Sequence, residues 1–125
     1  MSAARRVLSV GQCNYDHGQV SRLVQGTFGA DVVPVATAEE ALAQLRRGPF
    51  ALVLVNRVFD SDGDSGLELI RSVKGDDALK GVPMMLVSNY DDAQAEAVRA
   101  GALPGFGKGA LSQEATVEKL EALLG

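Results

Sequence analysis

The sequence predicts one α/β domain, a three-layer doubly wound fold with a parallel five-stranded sheet between two layers of helices. Short apolar segments alternate five times with helix-length amphipathic stretches along the 125 residues. The apolar segments lack an alternation with polar residues, which is typical of parallel strands buried on both faces. No repeat, low-complexity segment or linker interrupts the pattern. Residues 1–125 are therefore predicted to form a single domain without an appended output module.

The five strands are predicted where β-favouring aliphatic residues cluster between turn signals. They are RVLSV (6–10), DVVPV (31–35), ALVLV (51–55), PMMLVS (83–88) and LPGFGK (103–108).

The intervening stretches have helical periodicity and, in two cases, clear end signals. Residues 16–28 place their apolar side chains at spacings of three and four, which is one helical face. TAEEALAQLRRG (37–48) and SGLELIRSVKG (65–75) each begin with a hydroxyl residue three positions before a glutamate and end at glycine, the pattern of a capped helix. DDAQAEAVRAG (91–101) and SQEATVEKLEALLG (112–125) complete the set of five helices.

Composition excludes several classes of protein. The net charge of −4 provides no basic surface, so nucleic acid is not an expected partner. No apolar run approaches the roughly 20 residues of a membrane span, and no signal peptide opens the chain. Cys13 is the single cysteine, which excludes a disulfide framework or a cysteine zinc site. A cytoplasmic protein with no membrane contact is expected.

Candidate site residues follow the predicted strands. In doubly wound sheets, ligands and reacting groups collect beyond the carboxyl ends of the strands. Gly11 and Gln12 follow the first strand, and Asn56 follows the third. Ser88 ends the fourth strand and Lys108 ends the fifth. We expect these five residues to lie close together.

These residues and their order resemble the receiver domain of bacterial response regulators, the CheY-like family. GVPMMLVSNYDD (81–92) resembles the family's fourth strand and following loop, and AGALPGFGKGAL (100–111) resembles its fifth-strand region. The resemblance covers essentially the whole chain. It implies a flavodoxin-like sheet with the strand order 2-1-3-4-5.

The resemblance also implies a degenerate phosphorylation pocket. In the family, an acidic pair after the first strand holds a metal, and an aspartate on the third strand accepts a phosphoryl group. Here the acidic pair falls on Gly11 and Gln12, and the acceptor falls on Asn56, although Ser88 and Lys108 match the residues that bind phosphoryl oxygens. An amide is a very poor nucleophile, and Mg²⁺ usually needs one or two carboxylates. We therefore expect a pseudo-receiver with no catalytic residue, metal or cofactor, which is not an enzyme.

The switch region departs from the family pattern as well. Gly105 stands where the family has its switch aromatic, three residues before the lysine. Phe106 lies one position later, so its ring is expected to face the opposite side of the strand and to join the core. Without a ring at position 105, the family's coupling of phosphorylation to a partner surface is not expected.

Other polar motifs receive structural interpretations. DSDGDSG (60–66) resembles the start of a calcium loop, but Ser65 and Arg71 stand where that loop needs glycine and glutamate. A solvated acidic turn before the third helix is expected instead. Asp16 is predicted to cap the first helix, with His17 in its exposed first turn.

The surface for protein contact is predicted on the fourth helix, fifth strand and fifth helix, the face through which receivers commonly signal. Ala93, Ala95 and Ala97 predict a shallow fourth helix, and Gly105 and Gly107 leave bare backbone on the strand. The leading hypothesis is therefore a receiver domain that acts in signal transduction by phosphorylation-independent contact with a protein partner, or by forming a homodimer.

Two alternatives remain open. One is a divergent receiver that accepts a phosphoryl group on a displaced loop carboxylate such as Asp60. The other is a sensor of a small anion or nucleotide that binds in the crevice of Gln12, Asn56, Ser88 and Lys108.

Overall fold

A computed structural model of the chain describes residues 5–110 and 113–124, and of Asn14 and Lys108 it describes the backbone alone. Strands and helices alternate, as the sequence predicted. They are β1 (Arg6–Val10), α1 (Asn14–Phe28), β2 (Asp31–Val35), α2 (Ala38–Arg47), β3 (Leu52–Asn56), α3 (Gly66–Lys74), β4 (Met84–Val87), α4 (Asp91–Arg99), β5 (Leu103–Phe106) and α5 (Glu114–Leu124), with a 3₁₀ turn (Lys108–Ala110) before α5. None of the helices in these described parts is long and apolar enough to cross a membrane.

The strands form one parallel sheet in the order β2-β1-β3-β4-β5, which confirms the predicted fold class. The chain steps from β1 outward to β2 and then returns to β3 on the other side of β1. This reversal of strand order opens a crevice beyond the carboxyl ends of β1 and β3, where doubly wound folds place their sites.

Successive strand residues face opposite layers of helices, which explains why the strands are apolar throughout. On β3, Val53 and Val55 pack into a cluster that includes side chains of α2, α3 and α4. Leu52 and Leu54, which alternate with them, pack into a second cluster with side chains of α1 and α5. Each cluster buries one face of the sheet against one layer of helices, so both layers are needed to cover the sheet.

Two predicted helix starts agree with the structure and one does not. Thr37 and Ser65 cap α2 and α3, and each side-chain oxygen accepts a backbone N–H three residues later. The start of α1 is capped by Cys13, whose sulfur accepts the N–H of Asp16 at 3.4 Å. The prediction that Asp16 caps this helix is therefore wrong, because the extended backbone of Cys13 already places a polarizable acceptor there.

His17 is also placed differently from the prediction, since it is half-buried instead of exposed. Its Nε2 lies 3.3 Å from the hydroxyl of Ser21, one turn along α1.

The end of the sheet is irregular between β4 and β5. Met85 pairs with Leu103 and Val87 pairs with Phe106, so β5 contains one more residue than β4 over this interval. Strand β5 therefore ends at Phe106, and the predicted strand over 103–108 was too long. The extra residue breaks the regular ladder of hydrogen bonds, as a β-bulge does.

Candidate functional site

Three of the predicted site residues meet at the carboxyl ends of the central strands. Asn56 and Ser88 are 7% and 5% exposed, and both line a polar cavity of about 280 Å³. Gly11 lies beside Asn56, because the Asn56 amide nitrogen is 2.9 Å from the Gly11 carbonyl oxygen. The backbone of Lys108 begins the 3₁₀ turn after β5, and its side chain is outside the described part of the structure.

The Asn56 side chain is used as a double hydrogen-bond donor. Its Nδ2 donates to the carbonyl oxygen of Gly11 at 2.9 Å and to that of Val58 at 2.7 Å. A carboxylate of the same shape can only accept hydrogen bonds, so it would face two carbonyl oxygens without a proton to share. The amide therefore supports the loops after β1 and β3, together with the N–H of Asp60, which also donates to the Gly11 carbonyl oxygen at 3.0 Å.

Gly11 occupies a position that no side chain can enter. Its φ of +75° lies in the left-handed region, where residues other than glycine are strained. A Cβ atom at this position would lie 2.3 Å from Cδ1 of Phe59, whose ring is 1% exposed. The Phe59 ring thus fills the space beside β1 that a side chain on residue 11 would need.

Gln12 contributes a buried amide to the same region. Neither its Oε1 nor its Nε2 has a hydrogen-bond partner among the described residues. With Gly11 and Asn56, it leaves this end of the sheet without a carboxylate at the three positions that the family resemblance made acidic. Among the described residues, no group of three or more His, Cys, Asp or Glu side chains could hold a metal ion. The residues therefore do not fit a Mg²⁺ site.

Ser88 stabilises the loop that leads into α4. Its Oγ accepts the backbone N–H of Tyr90 at 3.2 Å. This bond uses the hydroxyl as an acceptor, so its proton is free to be donated into the cavity.

Arg57 and Tyr90 also line the cavity, and the sequence did not single them out. The guanidinium carbon of Arg57 lies 4.7 Å from the centroid of the Tyr90 ring, which is within the range of a cation–π contact. No carboxylate forms an ion pair with Arg57 among the described residues. The available signal was an arginine directly after the third strand, but its approach to Tyr90 depends on the pairing of β3 with β4.

A larger cavity of about 720 Å³ lies between α4, β5 and α5, and we call it the α4–α5 groove. Ala95, Val98, Pro104, Ala110 and Ala115 supply much of its apolar lining. Of the three alanines expected to form a shallow surface on the fourth helix, only Ala95 lines this groove. The other two, at positions 93 and 97, belong to the buried core beneath α4, because they lie on the helix face that meets the sheet.

Gly105 and Phe106 both line the groove, and Phe106 also belongs to the core. Phe106 is 4% exposed and packs with residues of α1 and α5. A Cβ at position 105 would lie 2.1 Å from the carbonyl oxygen of Leu86 and 3.0 Å from Oε1 of Gln94. The close approach of the β4 backbone explains why this position holds no aromatic ring.

The fold is shared with solved receiver structures. A CheY-like response regulator receiver domain protein from Methanospirillum hungatei JF-1 matches with a TM-score of 0.79 at 22% identity, over 98% of this chain and 94% of that chain. A response regulator from Thermotoga maritima matches with a TM-score of 0.77 at 23% identity, over 98% of each chain. The chemotaxis protein CheY4 of Vibrio cholerae matches with a TM-score of 0.74 at 20% identity, over 98% of this chain and all of that one.

These likenesses establish that the chain has the CheY-like fold. No family model matches the sequence, and no curated protein matches it. The function of the cavity and the groove must therefore be argued from their own residues.

Proposed function

We propose that this chain is a receiver-type domain of two-component signalling that acts by contact with a partner protein and does not accept a phosphoryl group. The observation that carries the proposal is the double donation by Asn56 to the carbonyl oxygens of Gly11 and Val58. The residue at the acceptor position is committed to supporting two loops.

The chemistry of phosphoryl transfer supports this proposal. An acyl phosphate forms when a carboxylate oxygen attacks phosphorus, whereas the lone pair of an amide nitrogen is delocalised into its carbonyl. A metal ion also has to neutralise charge as the phosphoryl group moves. Gly11 cannot present a ligand beneath the Phe59 ring, and Gln12 offers one neutral carbonyl oxygen. The nucleophile and the metal ligands are therefore missing together.

The α4–α5 groove is the surface that we assign to the partner. It is larger than the polar cavity, and its lining is mainly small apolar side chains and glycine backbone. Such a surface lets an apolar side chain of a partner approach closely. Val98 and Leu103, which are 43% and 39% exposed, add apolar area on α4 and β5. The partner is a different protein or a second copy of this chain.

The direct test is intact-mass spectrometry after incubation with acetyl phosphate and Mg²⁺, beside a receiver that is known to be phosphorylated. We expect no adduct on this chain and a labile adduct on the reference receiver. A labile adduct on this chain would overturn the proposal. If it mapped to Asp60, the displaced-carboxylate alternative would replace it.

Anion binding is the second candidate, because Arg57 and Ser88 both line the polar cavity and Arg57 forms no ion pair with a carboxylate among the described residues. Inorganic phosphate that binds there should raise the melting temperature of the wild type and not that of Arg57→Ala. Without a phosphate site, as the proposed contact function predicts, phosphate should change the melting temperatures of the wild type and of Arg57→Ala by the same amount, through its general effect on the solvent.

A further inference from the structure

Gln94 connects α4 to the backbone of two strands with one side chain. Its Nε2 donates to the carbonyl oxygens of Leu86 at 2.8 Å and Ser88 at 3.2 Å, with a longer contact of 3.4 Å to that of Phe106. Its Oε1 accepts the N–H of Gly105 at 3.1 Å. The amide therefore binds main-chain groups of β4, of β5 and of the loop after β4.

These hydrogen bonds compensate for the irregular pairing of β4 with β5. The extra residue in β5 interrupts the regular ladder beside the Leu86 carbonyl and the Gly105 N–H. A buried main-chain N–H or C=O group without a hydrogen-bond partner lowers the stability of the fold. Where a ladder is interrupted, side chains must supply the missing hydrogen bonds. The two ends of the Gln94 amide supply a donor to one and an acceptor to the other.

Gly105 is held from the other side as well. Nζ of Lys119, on α5, donates to the Gly105 carbonyl oxygen at 2.8 Å. The N–H of Gly105 is thus bound by α4 and its carbonyl by α5, and Gln94 and Lys119 both line the α4–α5 groove. All three elements of the groove meet at one backbone unit.

We propose that Gln94 is a positioning residue that fixes the α4–α5 groove in a single conformation, with Lys119 as its counterpart on α5. The shape of the groove is then set by the hydrogen bonds of these two side chains and not by phosphorylation or ligand binding in the polar cavity. The inference rests on the proposed function in treating the groove as the contact surface, but its test needs neither a partner nor phosphorylation.

The test is amide hydrogen exchange of the isolated chain, followed residue by residue by NMR. Gln94→Met keeps the length of the side chain and removes its hydrogen bonds, and Gln94→Ala removes its packing too. We expect the Gly105 amide to exchange at least about tenfold faster in each variant. The Val53 amide, which is bonded to the Pro83 carbonyl in the middle of the sheet, should change much less.

Two control variants distinguish the loss of the Gln94 hydrogen bonds from a general loss of stability. Gln113→Ala changes a glutamine that lines the same groove and whose side chain has no hydrogen bond among the described residues, so Gly105 should be unaffected. Val24→Ala removes core packing from α1, and should accelerate the Gly105 and Val53 amides together.

An unchanged Gly105 exchange rate in Gln94→Met would overturn the proposal. The proposal would also be overturned if Gln94→Met accelerated Gly105 exchange, relative to Val53 exchange, by no more than Val24→Ala does. If Gln94→Ala fails to fold, Gln94→Met and Lys119→Met still decide the question. A phosphoryl adduct on the wild type would contradict the proposed function without affecting the hydrogen-exchange comparison. Failure of the proposed function can therefore be distinguished from failure of the Gln94 proposal.

Discussion

Asparagine and aspartate have the same shape, and at position 56 only the hydrogens on the terminal nitrogen distinguish them. Those hydrogens bind the carbonyl oxygens of Gly11 and Val58. One residue therefore couples the loop after β1 to the loop after β3. A carboxylate that reacts as a nucleophile must be free of such contacts, so supporting the two loops and reacting exclude each other at this position.

Asn56→Asp should lower the free energy of unfolding by about 1–3 kcal/mol at pH 7. The Val58 carbonyl oxygen loses the donor that Asn56 supplies, the Gly11 carbonyl oxygen keeps only the N–H of Asp60, and both oxygens face a charge. The two carbonyls disfavour the ionised form and raise the pKa of the new carboxyl in the folded state. The loss should therefore grow as the pH rises through the ordinary aspartate pKa of about 3.9, and should be smaller at pH 4 than at pH 7. Urea denaturation at both pH values measures it.

Asn89→Asp is the matched control for this substitution. The Asn89 Oδ1 accepts the N–H of Gly109 at 3.2 Å, an interaction that a carboxylate retains. Its stability should change by less than that of the Asn56 variant. Equal stability of Asn56→Asp and the wild type at pH 7 would show that the amide hydrogens do not support the loops.

The polar residues at the strand ends could be predicted from the sequence, and their neighbours could not. Residues 11, 12, 56 and 88 were placed by the rule that parallel strands bring their carboxyl ends to one edge. The ring of Phe59 against Gly11 depends on the path of the loop after β3, which no local pattern encodes. Arg57 was missed for a related reason, since its contact with Tyr90 joins residues from two different strand ends.

The same division holds for helices and strands. Their presence could be predicted from the periodicity of the sequence, whereas their irregularities depend on tertiary contacts. The capping signals of α2 and α3 were sufficient to find their starts. The bulge in β5 was not foreseen, because it is completed by Gln94 from a neighbouring helix. A glycine at position 105 was visible in the sequence, but the carbonyl that requires it lies on β4.

The end of α3 is held to the loop before β4 by Lys74. Its Nζ donates to the carbonyl oxygens of Lys80 at 3.0 Å and Val82 at 2.6 Å. Desolvation by burial lowers the pKa of this ammonium below the ordinary value of 10.5. The folded chain therefore binds this proton less tightly than the unfolded chain does.

Two effects follow for Lys74→Met. Loss of the two hydrogen bonds should reduce the free energy of unfolding by about 1–2 kcal/mol at pH 7. In the wild type, the unfolded chain retains this proton to higher pH, so Lys74 contributes a rise in stability as the pH increases from the folded pKa toward 10.5. The difference between the two proteins should widen over that range in urea denaturation.

Lys80→Met serves as the control, because the Lys80 amine is exposed and pairs with Asp77 at the surface. It should change the free energy of unfolding at pH 7 by less than Lys74→Met does. A constant difference between the wild type and Lys74→Met up to pH 10.5 would contradict the assignment.

At the scale of the whole molecule, the sheet separates two hydrophobic clusters, one on each of its faces. Leu54 belongs to the cluster beneath α1 and α5, and Leu86 belongs to the cluster beneath α2, α3 and α4. Both side chains are completely buried. Because the two clusters share every strand of the sheet's centre, we expect them to unfold together.

Leu54→Ala and Leu86→Ala test this expectation from opposite faces. Each should lower the free energy of unfolding by about 2–5 kcal/mol, since each leaves a cavity in close-packed surroundings. Thermal unfolding followed by far-ultraviolet circular dichroism and by differential scanning calorimetry should show one coincident transition for each variant. Two separated transitions in either variant would mean that the helical layers are stabilised independently.

The packing of Phe59 against Gly11 also constrains the order in which substitutions could introduce metal binding. An acidic residue at position 11 meets the ring and a left-handed backbone before it meets any ion, so as a first change it is destabilising. A smaller residue at position 59 must come earlier, and alone it opens a cavity in the core. An aspartate at position 56 is unfavourable until both loops have rearranged. Every single step toward a phosphotransfer site thus lowers stability before it brings any gain in activity, so such a site is hard to build here one mutation at a time.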